Sequence, residues 1–202
     1  YTTLFRSLTK RLARAAICGD DGWDSPQMNT VRIVRLGLLA IGLGLALTMA
    51  PPAVTPAHAS CVDSARPGVS WRRCNFSGSN LAGIDVSGGS LGGARFMRAN
   101  LVGATFSGAT IDRAKFVTAD ATDANFEGAR AVGTDFTKTN LTRASFNGAD
   151  LRRARFFEAI LLNADFTGAR LEGADLLNAD FSGATWTDGE TICAAESIGR
   201  CK

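Results

Sequence analysis

Histidine is almost missing: the 202-residue chain carries one, His58, and a single tyrosine, Tyr1. Both fall in N-terminal segments expected to be absent from the mature protein. Without an imidazole, a Ser-His-Asp triad, a Cys-His pair and His-containing zinc sites are excluded. Proline is scarce at 5 residues, and aromatic residues make up only 8%. Long apolar runs are missing as well. The longest, Leu36 to Met49, has 14 residues, short of the ~20 that a membrane-spanning helix needs. No Gly-rich phosphate loop and no metal-ligand spacing occurs, so no cofactor or metal is expected.

The N-terminal third reads as leader sequence. Tyr1 to Ser7 matches the translation of a sequencing-adapter end, and residues 1–27 are expected to be non-native or upstream sequence; a basic arm through Lys10, Arg11 and Arg14 is the alternative. Residues 28–59 have every part of a secretory signal peptide. Met28 starts it, Arg32 and Arg35 give the positive end, Leu36 to Met49 the apolar stretch, and Ala57-His58-Ala59 the small-x-small cleavage site. His58 three residues before Cys61 disfavours lipidation. The expected product, Ser60 to Lys202, holds 16 Lys+Arg and 16 Asp+Glu, a net charge of zero. The +3 of the whole chain therefore comes from the leader and says nothing about nucleic acid.

One period organises the remainder. A centre residue i recurs at every fifth position from Phe76 to Trp186, 23 times without a break: 10 Phe, 8 Leu, Val86, Ile111, Ala121, Ala131 and Trp186. Two positions before the centre, 17 of 23 residues are Ala, and two after it 12 of 23 are Gly. Five is neither a helical nor a strand period. A chain that turns a corner every five residues keeps every centre inward, with the small residue allowing close backbone approach and Gly supplying turn dihedrals.

The pattern resembles the pentapeptide repeat family, A-(D/N)-L-x-x, most directly at Ala99-Asn100-Leu101, Ala149-Asp150-Leu151, Ala164-Asp165-Phe166, Ala174-Asp175-Leu176 and Ala179-Asp180-Phe181. The resemblance implies an all-β fold: a right-handed quadrilateral β-helix of 20 residues per coil, about six coils over 74–188 and roughly 28 Å long at ~4.8 Å per coil. One wall should stack Phe76, Phe96, Phe116, Phe136, Phe156 and Leu176, and the opposite wall Val86, Phe106, Phe126, Phe146, Phe166 and Trp186. Ala121 and Ala131 should leave the core thin near Phe116 and Phe126, with Thr134 and Thr139 marking an irregular stretch.

Solenoid ends need caps, here 60–73 and 189–202. Of the chain's five cysteines, Cys18 lies outside the expected mature segment, and the other four allow three pairings. Across a rod of that length the ends are too far apart to bridge, which leaves Cys61–Cys74 and Cys193–Cys201, each stapling a flap, with Trp71 and Ile192 as plugs. A site using all four cysteines for metal is disfavoured by the same distance. Disulfides fit an exported protein of the periplasm, envelope or medium.

Outward positions are i−1, i+1 and i+2. Charge ladders Lys115, Asp135, Arg155, Asp175 and Arg130, Asp150, Arg170 should hold coils in register. Met97, Val117, Phe157, Ile160, Leu162 and Leu177 form the candidate partner surface, for an unknown protein, the cell envelope or a second copy. Arg143, Arg152, Arg153 and Arg155 interleave with Asp150 and Glu158 and lack aromatic platforms, so nucleic acid is not an expected partner. The expected function is an exported, non-enzymatic binding or structural module. The alternative implied by the resemblance is a DNA-mimicking, topoisomerase (gyrase)-protecting protein, a role that asks for a strongly acidic rod.

Overall fold

In the computed structural model the described residues are 61–202; the signal peptide expected over 28–59 with its expected cleavage site, and the segment 1–27 with Cys18, lie outside them. Each five-residue unit runs three extended residues, i−2 to i, into a two-residue corner, i+1 and i+2. At the corner the i+3 amide donates to the centre's carbonyl, as Ala119 N does to Phe116 O at 2.9 Å. The residue at i+2 takes a positive φ, +57° at Thr118 and +62° at Gly108. This is the dihedral that a type II turn requires at its second central residue, which explains the Gly at that position.

Four corners close a coil, and coils stack in register. Parallel bridges join residues 20 apart from Ser70↔Ser90 to Asp165↔Thr185. Each wall contributes three bonds per step, for example Phe116 N to Asp135 O (2.8 Å), Thr118 N to Thr137 O (3.0 Å) and Asp135 N to Ala114 O (2.9 Å). The result is a right-handed quadrilateral β-helix of about six coils. The register reaches one repeat further toward the N-terminus than the sequence pattern shows, because Trp71 occupies a centre and Val69 its i−2 slot.

The centres build an aromatic column. Rings stack along each wall, Phe116 on Phe136 at 5.0 Å and Phe126 on Phe146 at 5.0 Å, and meet edge-on across the axis, Phe116 to Phe126 at 5.8 Å. These are favourable parallel and T-shaped geometries. Nine of the Phe side chains are fully buried, each contributing on the order of 2–3 kcal/mol. The thinning expected beside Ala121 and Ala131 does not disturb this column: Phe116–Phe126 matches Phe96–Phe106, both 5.8 Å.

Thr134 and Thr139 fit the alanine slots without irregularity. Both are fully buried, and each hydroxyl donates to a carbonyl of the preceding coil, Thr134 to Ile111 O and Thr139 to Phe116 O, both at 2.8 Å. The Ile111 carbonyl also accepts from Ala114 N at 3.0 Å. Thr134→Ala therefore strands no acceptor and restores the residue used elsewhere. It is expected to cost no more than about 1 kcal/mol in calorimetric unfolding.

The ends are closed by Cys61–Cys74 and Cys193–Cys201. At the first, Trp71 is buried against Phe76 at 4.4 Å and donates its indole N–H to Asp63 O at 3.2 Å. At the second, the chain reverses and pairs antiparallel, Thr185↔Ile192 and Asp180↔Ile198. Ile192 is not a plug: it is 60% exposed, while its neighbour Cys193 faces inward and is buried. Alternation along the returning strand puts the two on opposite sides.

Candidate functional site

The turn-and-stack geometry decides which side chains reach solvent. The i−1 residue stands on a flat face, and i+1 and i+2 stand on the corner that follows. Many corners are set by the i−1 side chain itself. Asp135 Oδ1 accepts from Thr137 N (3.1 Å) and Thr137 Oγ1 (2.6 Å), and Asp165 and Asp180 make the same pair of bonds with Thr167 and Ser182. The Asp/Asn of the repeat is thus a corner-forming residue, and many of the rod's carboxylates have this structural task.

Stacking by twenties sorts the outward residues into four faces. The faces whose rows begin at Ser70 and Asn75 are adjacent, as are those beginning at Asn80 and Asp85. The first pair carries twelve basic and six acidic residues, net +6; the second carries one basic and seven acidic, net −6. The zero net charge of residues 60–202 is a cancellation between opposite sides of the rod. No linear count shows this, but folding the sequence at a period of 20 does.

Ion pairing sharpens the division. On the basic half, five of the six acids are taken up by Arg130–Asp112 (2.9 Å), Lys138–Glu158 (3.3 Å), Arg152–Asp150 (2.7 Å), Arg155–Asp135 (3.6 Å) and Arg170–Glu172 (3.9 Å). The expected ladder Arg130, Asp150, Arg170 does not form: each member turns to a corner residue instead, Asp112, Arg152 and Glu172, and only Arg152–Asp150 pairs through both forks. Arg155–Asp135 is the rung of the other ladder that does form. Seven cations on this half, Arg72, Arg73, Arg95, Arg98, Arg113, Lys115 and Arg153, have no carboxylate within 4.0 Å among the described residues. On the acidic half only Asp123 is paired, to Arg143 at 2.6 Å.

One corner column has a regular construction. Reading down the coils it is Arg73, Gly93, Arg113, Gly133, Arg153, Gly173. The three arginines hold φ of +59°, +57° and +58°, a conformation that L-residues adopt at a cost. Each alkyl stem lies over the glycine of the next coil: a Cβ on Gly93, Gly133 or Gly173 would sit 3.5, 3.8 or 3.6 Å from the Cγ of Arg73, Arg113 or Arg153. Beside the last pair lies a shallow depression of about 500 Å³ lined by Arg130, Val132, Arg152, Arg153, Glu172 and Gly173.

The apolar candidates are spread more widely. Ile160 is 43% and Leu177 60% exposed. Met97, Val117, Phe157 and Leu162 are half-buried, their corners leaning on the coils above and below. Thr137 separates Val117 from Phe157, so no continuous apolar stripe runs down the wall. Ile192 and Ile198 add to the exposed apolar surface at the C-terminal end and were not singled out by the repeat, which stops at Trp186. There the returning chain covers Phe181 and Trp186 but not the neighbouring wall. The amides of Leu171, Gly173, Leu176 and Asn178 have no backbone acceptor among the described residues, and Leu171 and Leu176 are only half-buried.

Four carboxyls are held below their ordinary value of 3.8: Asp123 and Asp150 by hydrogen bonds from Arg143 and Arg152, Asp85 and Asp188 by the hydroxyls of Ser87 and Thr191. A depressed folded-state pKa gives stability that is present above the unfolded value and is lost as pH falls through the folded one. The melting temperature is therefore expected to hold from neutral pH to about 4 and to fall below it. Circular dichroism melts across that range check this, and Asp150→Asn should flatten the fall. No group of His, Cys, Asp and Glu suited to a metal ion occurs among the described residues.

The profile of pentapeptide repeats matches residues 74–116, 119–156 and 149–185, in eight copies. No functionally curated protein matches the chain. Similar solved structures include the pentapeptide repeat protein Rfr23 from the cyanobacterium Cyanothece 51142, at 20% identity over 50% of this chain and 83% of that one, TM-score 0.35. The plasmid-mediated fluoroquinolone resistance protein QnrB1 is 26% identical over 59% and 70%, TM-score 0.34. A pentapeptide repeat protein from the thylakoid lumen of Arabidopsis thaliana is 24% identical over 56% and 69%, TM-score 0.26.

Proposed function

The chain belongs to the pentapeptide repeat family, and we propose that it acts as an exported, non-catalytic binding module. Members of the family are in general structural or binding proteins rather than catalysts. The observation that carries the reading is a segment, 60–202, of zero net charge folded into a rod with a basic and an acidic side and a disulfide at each end. Such a rod offers long, flat, chemically distinct surfaces, and the disulfides fit an oxidising compartment. The signal peptide expected over 28–59 supplies the route there.

A second reading, DNA mimicry that protects a topoisomerase, draws on the acidic half. Net −6 along a rod of about 28 Å is roughly one charge per 5 Å, against about one per 1.7 Å in duplex DNA. That surface is about threefold too sparse for the mimic. Fractionation of a C-terminally tagged protein expressed from Met28 separates the readings: the module is expected in the envelope or medium, and a cytoplasmic product would favour the mimic.

A further inference from the structure

We propose that the basic half of the rod is a docking track for a linear anionic polysaccharide, lying along the solenoid axis over the column Arg73, Arg113, Arg153. This names a partner class for the exported binding module and rests on that reading. Two observations converge on it. The column repeats every second coil, so its guanidiniums recur at about 10 Å, twice the ~4.8 Å rise of a coil. The intervening glycines let each stem lie flat and leave its head group free, and no carboxylate of the described residues neutralises any of the three.

The chemistry of the track selects among polyanions. Net +6 along about 28 Å is roughly one charge per 5 Å, which suits a polymer with one carboxylate per sugar or per disaccharide and is far below the density of a nucleic acid. Guanidiniums take carboxylates in two parallel hydrogen bonds. Beside the column runs a row of hydroxyls, Ser70, Ser90 and Thr110, placed to meet sugar hydroxyls. The depression beside Arg153 has three arginines in its lining against one carboxylate, Glu172, itself paired with Arg170, and gives one ring a seat. Among the described residues the one outward aromatic of the basic half, Phe157, is half-buried, so the track offers no row of platforms on which bases stack.

The test is titration calorimetry on the protein purified from its producing cells. The probe is a hyaluronate oligosaccharide long enough to span the column, with a neutral cello-oligosaccharide, single-stranded DNA and polyglutamate of equal length as comparisons. Hyaluronate is expected to bind, and to bind more weakly at about 200 mM than at about 50 mM salt, with no heat from the neutral glycan. Arg113→Gly with Arg153→Gly, which installs the residue of the alternate coils, should keep the melting temperature and weaken binding about tenfold. Arg143→Ser on the opposite half should leave the affinity within about twofold. No salt-dependent hyaluronate binding, an equal loss with Arg143→Ser, or tighter binding of DNA or polyglutamate would overturn the proposal. Export is read by fractionation, so failure here and failure of the exported-module reading are separate results.

Discussion

Phe126→Ala is expected to lower unfolding free energy by about 4–5 kcal/mol, the upper end for a buried phenylalanine. The reason lies in its neighbours. Phe126 stacks between Phe106 and Phe146 at 5.0 Å each and meets Phe116 and Phe136 edge-on at 5.8 and 5.6 Å. The centres before and after it are Ala121 and Ala131, both fully buried. Neither can swing into the space, and the backbone ladders above and below hold the coil open, so the cavity persists. A solenoid is stabilised by contacts between adjacent coils, so the same cavity should weaken coupling between the two halves of the rod. Urea unfolding is expected to lose both midpoint and cooperativity. A cost below about 2 kcal/mol with an unchanged slope would mean that the column relaxes around the gap.

Replacing Cys61 and Cys74 with Ala is expected to remove about 3 kcal/mol, the chain-entropy value for a closed loop of this length, here a separation of 13 residues. The effect should be local in structure. The flap that the bond holds covers Trp71, which is buried against the first phenylalanine of the column. Releasing it exposes the indole and frees the first coil, so amide protection should drop from Ser70 to Phe76 while the middle coils keep theirs. The Cys193–Cys201 bond, with a separation of 8, should stabilise somewhat less by the same reasoning. Unchanged exchange at Trp71 and Phe76 after the substitution would show that the cap holds without its staple.

The inside of this protein is legible in its sequence because the repeat is a direct image of the coil. Phe96, Phe116 and Phe136 are five residues times four apart, and they stack at 4.9 and 5.0 Å. The alanines between them mark where backbone must pass close. The ends and the outside are less legible, since the period stops specifying them. Ile192 illustrates the first: it sits outside the repeat, on a strand that runs backward, so its side was set by the reversal and not by the five-residue rule. Arg130 illustrates the second: a neighbour directly above, Asp150, lost it to Asp112 at the corner below, a choice made by side-chain reach. The division of charge across the rod lies between these cases. It is fully contained in the sequence, but only the 20-residue register reveals it.

The central proposal is that this rod is exported and that its mature chain carries two formed disulfides. Intact mass of the product expressed from Met28, alkylated without reduction, tests it most directly. The account predicts a chain beginning at Ser60, about 4 Da lighter than its fully reduced form, with no alkyl groups added until reduction and then four. A product that keeps its leader and takes up alkyl groups before reduction would contradict it.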